Sequence, residues 1–139
     1  MRKPPRRQGG FSLIEALVSI LIFSIGILAL VGMQVTAVRQ SANAKYRSEA
    51  SLLANQLIGQ MWVTDRLSST LQTNFNTGNA GYNAWATAVQ STLPNSTGGN
   101  APTVAVAGDG TVTINLFWKA PNEQTSDPVH RYTAIARIQ

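Results

Sequence analysis

Near the N-terminus the chain has a long apolar stretch with the length of a membrane-spanning helix. No ionisable side chain occurs from Ala16 to Val38. A helix of that length covers roughly 35 Å, about the thickness of a bilayer core. Arg39 is the first charged residue beyond the stretch. We therefore predict a transmembrane helix over 11–38, with Arg39 at the far edge of the bilayer.

Beyond the apolar stretch the helical pattern continues but becomes amphipathic. Neither proline nor glycine occurs between Met33 and Ile58. Apolar residues recur at intervals of three and four, which is the spacing of one helix face. The stripe comprises Ala50, Leu53, Ala54, Leu57, Ile58, Met61 and Trp62. The pattern predicts one helix from about Ser12 to Leu67, whose second half, 39–67, packs against a folded head.

The remaining residues, 68–139, are predicted to form a small globular head. Residues 68–81 are polar and are predicted to be a connection. A short helix is predicted over 82–93, with Asn83 as a possible N-cap. Pro94 ends it, because the residue before a proline disfavours the helical conformation.

Three strands follow, at 103–107, 111–119 and 130–138. Val112, Ile114, Leu116 and Trp118 alternate with Thr113, Asn115 and Phe117, which is the period of a half-buried strand. Asp109-Gly110 is a favoured tight-turn pair and predicts a hairpin between the first two strands. The fold class is therefore predicted to be α+β, a long N-terminal helix packed on a small antiparallel sheet.

Positive charge is concentrated before the apolar stretch. The chain has 139 residues with eleven Lys and Arg against six Asp and Glu. Four of these cations, Arg2, Lys3, Arg6 and Arg7, lie within the first seven residues, and the rest of the chain is close to neutral. Positive charge in front of an apolar helix keeps that end cytoplasmic. We therefore expect a cytoplasmic N-terminus and an exported head.

Two ordinary explanations of the apolar stretch leave residues unexplained. A cleaved secretory signal would have a shorter apolar region, although Ala42-Asn43-Ala44 offers a passable cleavage site. A single-pass anchor would have a suitable length. Neither accounts for Gly9-Gly10, for Phe11, or for Glu15, a carboxylate inside the apolar segment.

The stretch G-F-S-L-I-E followed by a long apolar helix resembles the class III signal of type IV pilins and pseudopilins. The resemblance implies that 1–10 is a leader removed after Gly10 by a prepilin peptidase. Phe11 would become the N-terminus and be N-methylated by the same enzyme, and Glu15 would be the acid used in assembly. The subunit would reside in the inner membrane with its head in the periplasm, and then enter a pilus at the cell surface.

The charges are consistent with this resemblance. A new α-amine at Phe11 would be mainly cationic, and it lies one helical turn from Glu15. Glu15 could pair with its own N-terminus or with that of a neighbouring subunit; a carboxylate in lipid is tolerable when paired and unfavourable when alone. It could also reach the cytoplasmic interface before assembly.

Several later stretches resemble the PilV group of minor pilins, the type IV pilus modification proteins. These stretches are Arg47–Leu57, Trp85, Ala88–Pro94, Gly110–Trp118 and the closing R-Y-T-A-I-A-R-I. The absence of cysteine also differs from major pilins, which commonly carry a disulfide-bounded loop. The resemblance implies a structural subunit that initiates pilus assembly near the tip and supports twitching motility and adhesion. Its candidate partners would be other minor pilins, the major pilin and a large tip adhesin.

Other functions have less support in the sequence. A type II secretion pseudopilin is the alternative, since it uses the same signal. DNA binding is a weaker hypothesis that would use Lys119, Arg131 and Arg137 beside Trp118 and Tyr132. With one histidine and no cysteine, no metal site, cofactor or catalytic residue is expected, and His130 is interpreted as a strand-edge residue. The sequon at Asn95 is attributed to chance.

Overall fold

The computed structural model describes residues 11–138, with side chains from residue 13 onward. The helices are α1 (Phe11–Val63), α2 (Ser68–Phe75) and α3 (Ala80–Thr92), with a single 3-10 turn at Gly98–Asn100. The strands are β1 (Thr103–Val106), β2 (Thr111–Trp118) and β3 (His130–Arg137). The fold is α+β, as predicted. The predicted leader, 1–10, lies outside the described residues.

The first part of α1, up to Gln40, forms a unit of its own. Its large apolar side chains are exposed along the whole segment. The Ser24 hydroxyl donates to the Ile20 carbonyl at 2.7 Å, and the Thr36 hydroxyl donates to the Gly32 carbonyl at 3.2 Å. Both hydroxyls are thereby satisfied within the helix, which makes them compatible with an apolar surrounding.

The second unit, 41–138, contains the hydrophobic core. The strands are antiparallel in the order β1-β2-β3, with β2 in the centre. Alternate residues of β2 are buried, as the sequence pattern predicted, and pack with one face of α1 and with α2 and α3. The core includes Ala50, Leu53, Ala54, Leu57, Met61, Leu71, Phe75, Trp85, Val89, Val112, Ile114, Leu116 and Trp118. The predicted helix stripe is therefore the core face of α1, except that Trp62 is exposed.

The helix ends earlier than predicted, at Val63 rather than near Leu67. Thr64 N donates to the Met61 carbonyl, and its hydroxyl donates to the Gln60 carbonyl at 2.8 Å. The Asp65 carboxylate then accepts from Leu67 N at 3.2 Å. Such side-chain to backbone bonds compete with a regular helix, which explains why it stops here.

The segment predicted to be a polar connection, 68–81, instead contains α2 and the start of α3. Leu71 and Phe75, four residues apart, are the buried residues of α2. The residue before α3 is Asn79, so Asn83 is not its N-cap. Asn83 lies inside the helix and donates its side-chain amide to the Gly78 carbonyl at 3.1 Å. The predicted 82–93 helix is confirmed apart from this earlier start.

The three strands agree with the prediction, and each ends one residue earlier than expected.

The turn of the hairpin between β1 and β2 differs from the predicted two-residue turn. Gly110 N donates to the Ala107 carbonyl, and Ala107 N donates to the Thr111 carbonyl. The loop therefore has three residues, 108–110, with Gly110 in the left-handed region at φ 77°. This is a type I turn with a bulge, in which Asp109 and Gly110 do not form a two-residue turn.

Candidate functional site: the apolar N-terminal segment

The residues predicted for processing lie at the start of the described chain. Gly10 lies outside the described residues. Phe11 begins α1, and its side chain is not described. Glu15 lies on the second turn of the helix with an exposed side chain. Because 11–15 is continuous helix, positions 11 and 15 share one face.

Glu15 is surrounded along the helix by exposed apolar side chains. Leu13, Ile14 and Leu17 are exposed, and so are the aliphatic residues that follow. Residues 16–38 provide no charge that could compensate the carboxylate. Burial of an unpaired carboxylate is strongly unfavourable, so covering this surface together with the acid requires a cation for Glu15, either from the chain's own N-terminus or from the covering partner.

The surface of this segment also contains two places where another helix could approach closely. A Cβ added at Gly26 or at Gly32 would meet nothing within 4 Å. Glycines on an apolar helix allow a neighbouring backbone to approach. The segment is the one helix of the described chain that is long and apolar enough to cross a membrane.

The alternative cleavage site at Ala42-Asn43-Ala44 lies in the middle of α1. The side-chain amide of Asn43 donates to the Glu123 carboxylate at 3.4 Å. This stretch is thus part of the packed second unit, and cutting it would remove the helix segment before it. The geometry does not favour a secretory signal that ends here.

The residues considered for DNA binding are not assembled into one patch. Trp118 is buried in the core. Lys119 Nζ donates to the carbonyls of Thr125 and Asp127, at 2.7 and 2.8 Å, and so fixes the loop before β3. Arg131 and Arg137 lie at opposite ends of β3, roughly 20 Å apart at the rise of a strand.

A polar cluster around Glu123 was not foreseen from the sequence. Its carboxylate accepts from His130 Nε2 at 2.7 Å and from Ala120 N at 2.9 Å, in addition to Asn43. Burial alone would raise the pKa of Glu123, but these hydrogen bonds outweigh it and hold the pKa below its usual value. The His130 ring also stacks on Trp118, with centroids 5.6 Å apart. His130 therefore has a structural role. The sequence did not predict this cluster, because Asn43 is far from Glu123 and His130 along the chain.

The sequon at Asn95 lies in a locally bonded loop. The side-chain amide of Asn95 donates to the Lys119 carbonyl at 2.9 Å, so the nitrogen of the sequon is already bonded. Among residues 11–138, no group of three or more His, Asp and Glu side chains comes together as metal ligands would.

A family model described as the prokaryotic N-terminal methylation motif matches residues 5–31. No curated protein and no solved structure gives a significant match to the chain. The matched segment contains Gly10, Phe11, Glu15 and the first turns of the apolar helix. The match supports a type IV pilin-like protein, a structural subunit of a pilus or of a pseudopilus that is processed by a prepilin peptidase and anchored in the membrane before assembly.

Proposed function

We propose that the protein is a minor pilin, a structural subunit that helps to initiate type IV pilus assembly and lies near the pilus tip. One observation carries the proposal. The methylation motif overlaps the first part of α1, and from residue 13 to residue 40 the large apolar side chains of that part are exposed and Glu15 is its one acid. Such a surface requires lipid or other apolar helices around it.

The proposed mechanism begins with removal of the leader. Cleavage between Gly10 and Phe11 takes away the four leading cations and creates an α-amine that stays cationic after methylation. In the membrane, the terminal amine or the cytoplasmic interface compensates Glu15. In the filament, the amine of a neighbouring subunit would take that role. Pairing would then favour transfer of the helix from lipid into the bundle.

A minor role is favoured over that of the bulk subunit by the sequence of the head. The chain has no cysteine and therefore no disulfide-bounded loop. The short stretches named above resemble PilV, which modifies the type IV pilus of Gram-negative bacteria. We propose that it supports pilus biogenesis, twitching motility and adhesion, together with other minor pilins and a tip adhesin.

The alternative is a minor pseudopilin of a type II secretion system, which would use the same signal and spine. Deletion in the native host distinguishes the two functions. Loss of surface pili and twitching, with secretion intact, supports the minor pilin. Loss of exoprotein secretion, with pili intact, supports the pseudopilin, and no change in either process contradicts both.

The processing step is tested by intact mass spectrometry of the protein extracted from membranes. We expect the mass of residues 11–139 plus one methyl group. A mass that retains residues 1–10, or one that corresponds to cleavage near Ala44, would contradict the pilin-type signal.

DNA binding is tested by a gel-shift titration over a range of salt concentrations, and we expect no salt-dependent shift with the detergent-solubilised protein.

A further inference from the structure

The two edges of the sheet can be identified from its hydrogen-bond register. Thr111 faces Arg137, and the bond from Ile138 N to the Gly110 carbonyl, at 2.9 Å, extends the same register. Hydrogen-bonded pairs alternate along an antiparallel ladder. Even-numbered residues of β3 therefore bond to β2. The outer edge of β3 consists of the backbone groups of Arg131, Thr133, Ile135 and Arg137.

The opposite edge of the sheet, on β1, is closed by side chains from the segment after α2. Thr77 bonds both backbone groups of Val104, with its hydroxyl 2.9 Å from Val104 N and 3.0 Å from the carbonyl. The Asn76 side chain accepts from Val106 N at 2.8 Å, and the Gln72 side chain donates to the Val106 carbonyl at 3.1 Å. No outward backbone group of β1 is left for another strand.

The outer edge of β3 has no comparable cover. Within residues 11–138, no backbone or side-chain group bonds to the outward N–H and C=O groups of this edge. The strand has eight residues and contains neither proline nor a bulge, two of the devices that protect an edge. Ile135, in its middle, is 70% exposed. One edge is thus closed and the other is available for pairing.

The charges on this edge argue against pairing between two copies of the chain. Full-length antiparallel pairing of β3 with itself would place Arg131 opposite Arg137 at both ends. Parallel pairing in register would place each arginine opposite its own copy. Like charges directly opposite each other are destabilising. A partner strand with an acid at each end would instead meet both arginines favourably and could cover Ile135 with an apolar residue.

We propose that the outer edge of β3 binds an extended segment of another protein by β-strand addition, and that the segment carries acidic residues opposite Arg131 and Arg137. The main-chain bonds supply affinity, and the alternate side chains supply specificity. This inference goes beyond the proposed function, because it needs only the sheet of the second unit and does not depend on the N-terminal signal.

The probe is a seven-residue peptide, Glu-Thr-Val-Thr-Val-Thr-Glu, acetylated and amidated, added to the full-length protein in detergent. In antiparallel register its glutamates face the two arginines and one valine faces Ile135. We expect binding, and slower amide exchange by NMR at Arg131, Thr133, Ile135 and Arg137. The amides of Tyr132, Ala134 and Ala136 already bond to β2 and should change little. Binding without protection of the four outward amides would overturn the proposal, as would no binding at all.

Two variants at one position separate the main-chain bond from the side chain. Thr133→Pro removes an outward N–H and leaves the β2 ladder intact, because that N–H does not face β2. Thr133→Val is the control, since both variants lose the hydroxyl bond to Asn115 Oδ1 but valine keeps the N–H. We expect the peptide Kd to rise about tenfold for proline and less than about twofold for valine. Equal affinities would overturn the proposal.

Exchanging the charges of the peptide and of the two arginines tests whether the partner is acidic. This experiment also tests the proposal if the proline variant does not fold. Against the wild type, the same peptide with lysine in place of both glutamates should bind about tenfold more weakly. The double variant Arg131→Glu and Arg137→Glu should reverse that preference. If the preference stays the same in both proteins, the acidic partner is excluded.

Discussion

At the scale of single residues, two tryptophans show how burial and hydrogen bonding determine what a side chain contributes to stability. Trp85 is buried, and its indole N–H donates to the Leu53 carbonyl at 2.9 Å, which joins α3 to α1. Trp62 is 45% exposed, and the Arg66 guanidinium lies over its ring, 5.9 Å from the centroid. Sequence spacing placed Trp62 in the apolar stripe of α1, and it could not reveal the exposure of this ring, because that exposure depends on the neighbours in three dimensions.

Trp85→Phe should lower the free energy of unfolding by about 1 to 2 kcal/mol, because a net hydrogen bond is lost and the smaller ring packs less well. Trp62→Phe is the matched control and should change it by less than about 0.5 kcal/mol. Urea unfolding followed by circular dichroism measures both. Equal losses would mean that the Leu53 bond does not contribute.

The Glu123 cluster predicts a pH dependence of stability. Because its folded pKa lies below its usual value, Glu123 contributes stability that is fully present above about pH 4.5 and is lost as the pH falls through the folded pKa. Glu123→Gln keeps the shape and removes the titration. The wild type should therefore lose more of its unfolding free energy than the variant between pH 7 and pH 3.

This comparison must allow for a second acid. The backbone and side-chain hydrogen bonds of Thr111 also lower the pKa of Asp109, which adds a loss of the same sign. Glu123→Gln should thus reduce the acid sensitivity without abolishing it, and adding Asp109→Asn should reduce it further. An acid sensitivity that is unchanged in Glu123→Gln would contradict the role given to the cluster.

At the scale of elements, the sequence predicted best where one period extends over many residues. The strands and the stripe of α1 were predicted closely because their burial follows a strict alternation or a helical repeat. Helix α2 was missed because it has only two buried residues, Leu71 and Phe75, among polar ones. It is also tied to β1 by a tertiary bond from the Gln72 side chain to the Val106 carbonyl, which no local pattern reveals.

Two glycines in helices should respond in opposite ways to the same substitution. A Cβ at Gly81, at the start of α3, would lie 2.8 Å from the Asn74 carbonyl oxygen and 2.9 Å from Phe75 Cε1. Gly81→Ala should therefore destabilise by about 1 to 3 kcal/mol. A Cβ at Gly59, in α1, would meet nothing within 4 Å, and Gly59→Ala should stabilise by about 0.5 to 1 kcal/mol. Thermal unfolding measures both, and shifts of the same sign would contradict the close packing of α2 on α3.

At the scale of the whole molecule, the proposed function depends on the N-terminal apolar segment. The sequence indicates the chemistry of this segment, but it does not identify the partners. The resemblance to the class III signal implies the roles of Gly10, Phe11 and Glu15, and the motif match covers all three residues. Their roles stay predictions, because cleavage and charge pairing involve a peptidase and a second subunit. The structure of a single chain includes neither the peptidase nor the second subunit.

The separation of processing from assembly leads to the last prediction. Gly10→Val should block cleavage, because a branched side chain would not fit where a glycine is cut, and the leader should remain in the intact mass. Glu15→Val should still be cleaved and methylated, but it should enter pili several-fold less than the wild type, since the terminal amine of the neighbour loses its carboxylate. Ser19→Val, one turn further along the same helix face, also replaces a polar side chain by valine and should assemble normally. Quantitative mass spectrometry of sheared pili against membrane-retained protein measures all three, and normal entry of Glu15→Val would show that the charge pair does not drive assembly.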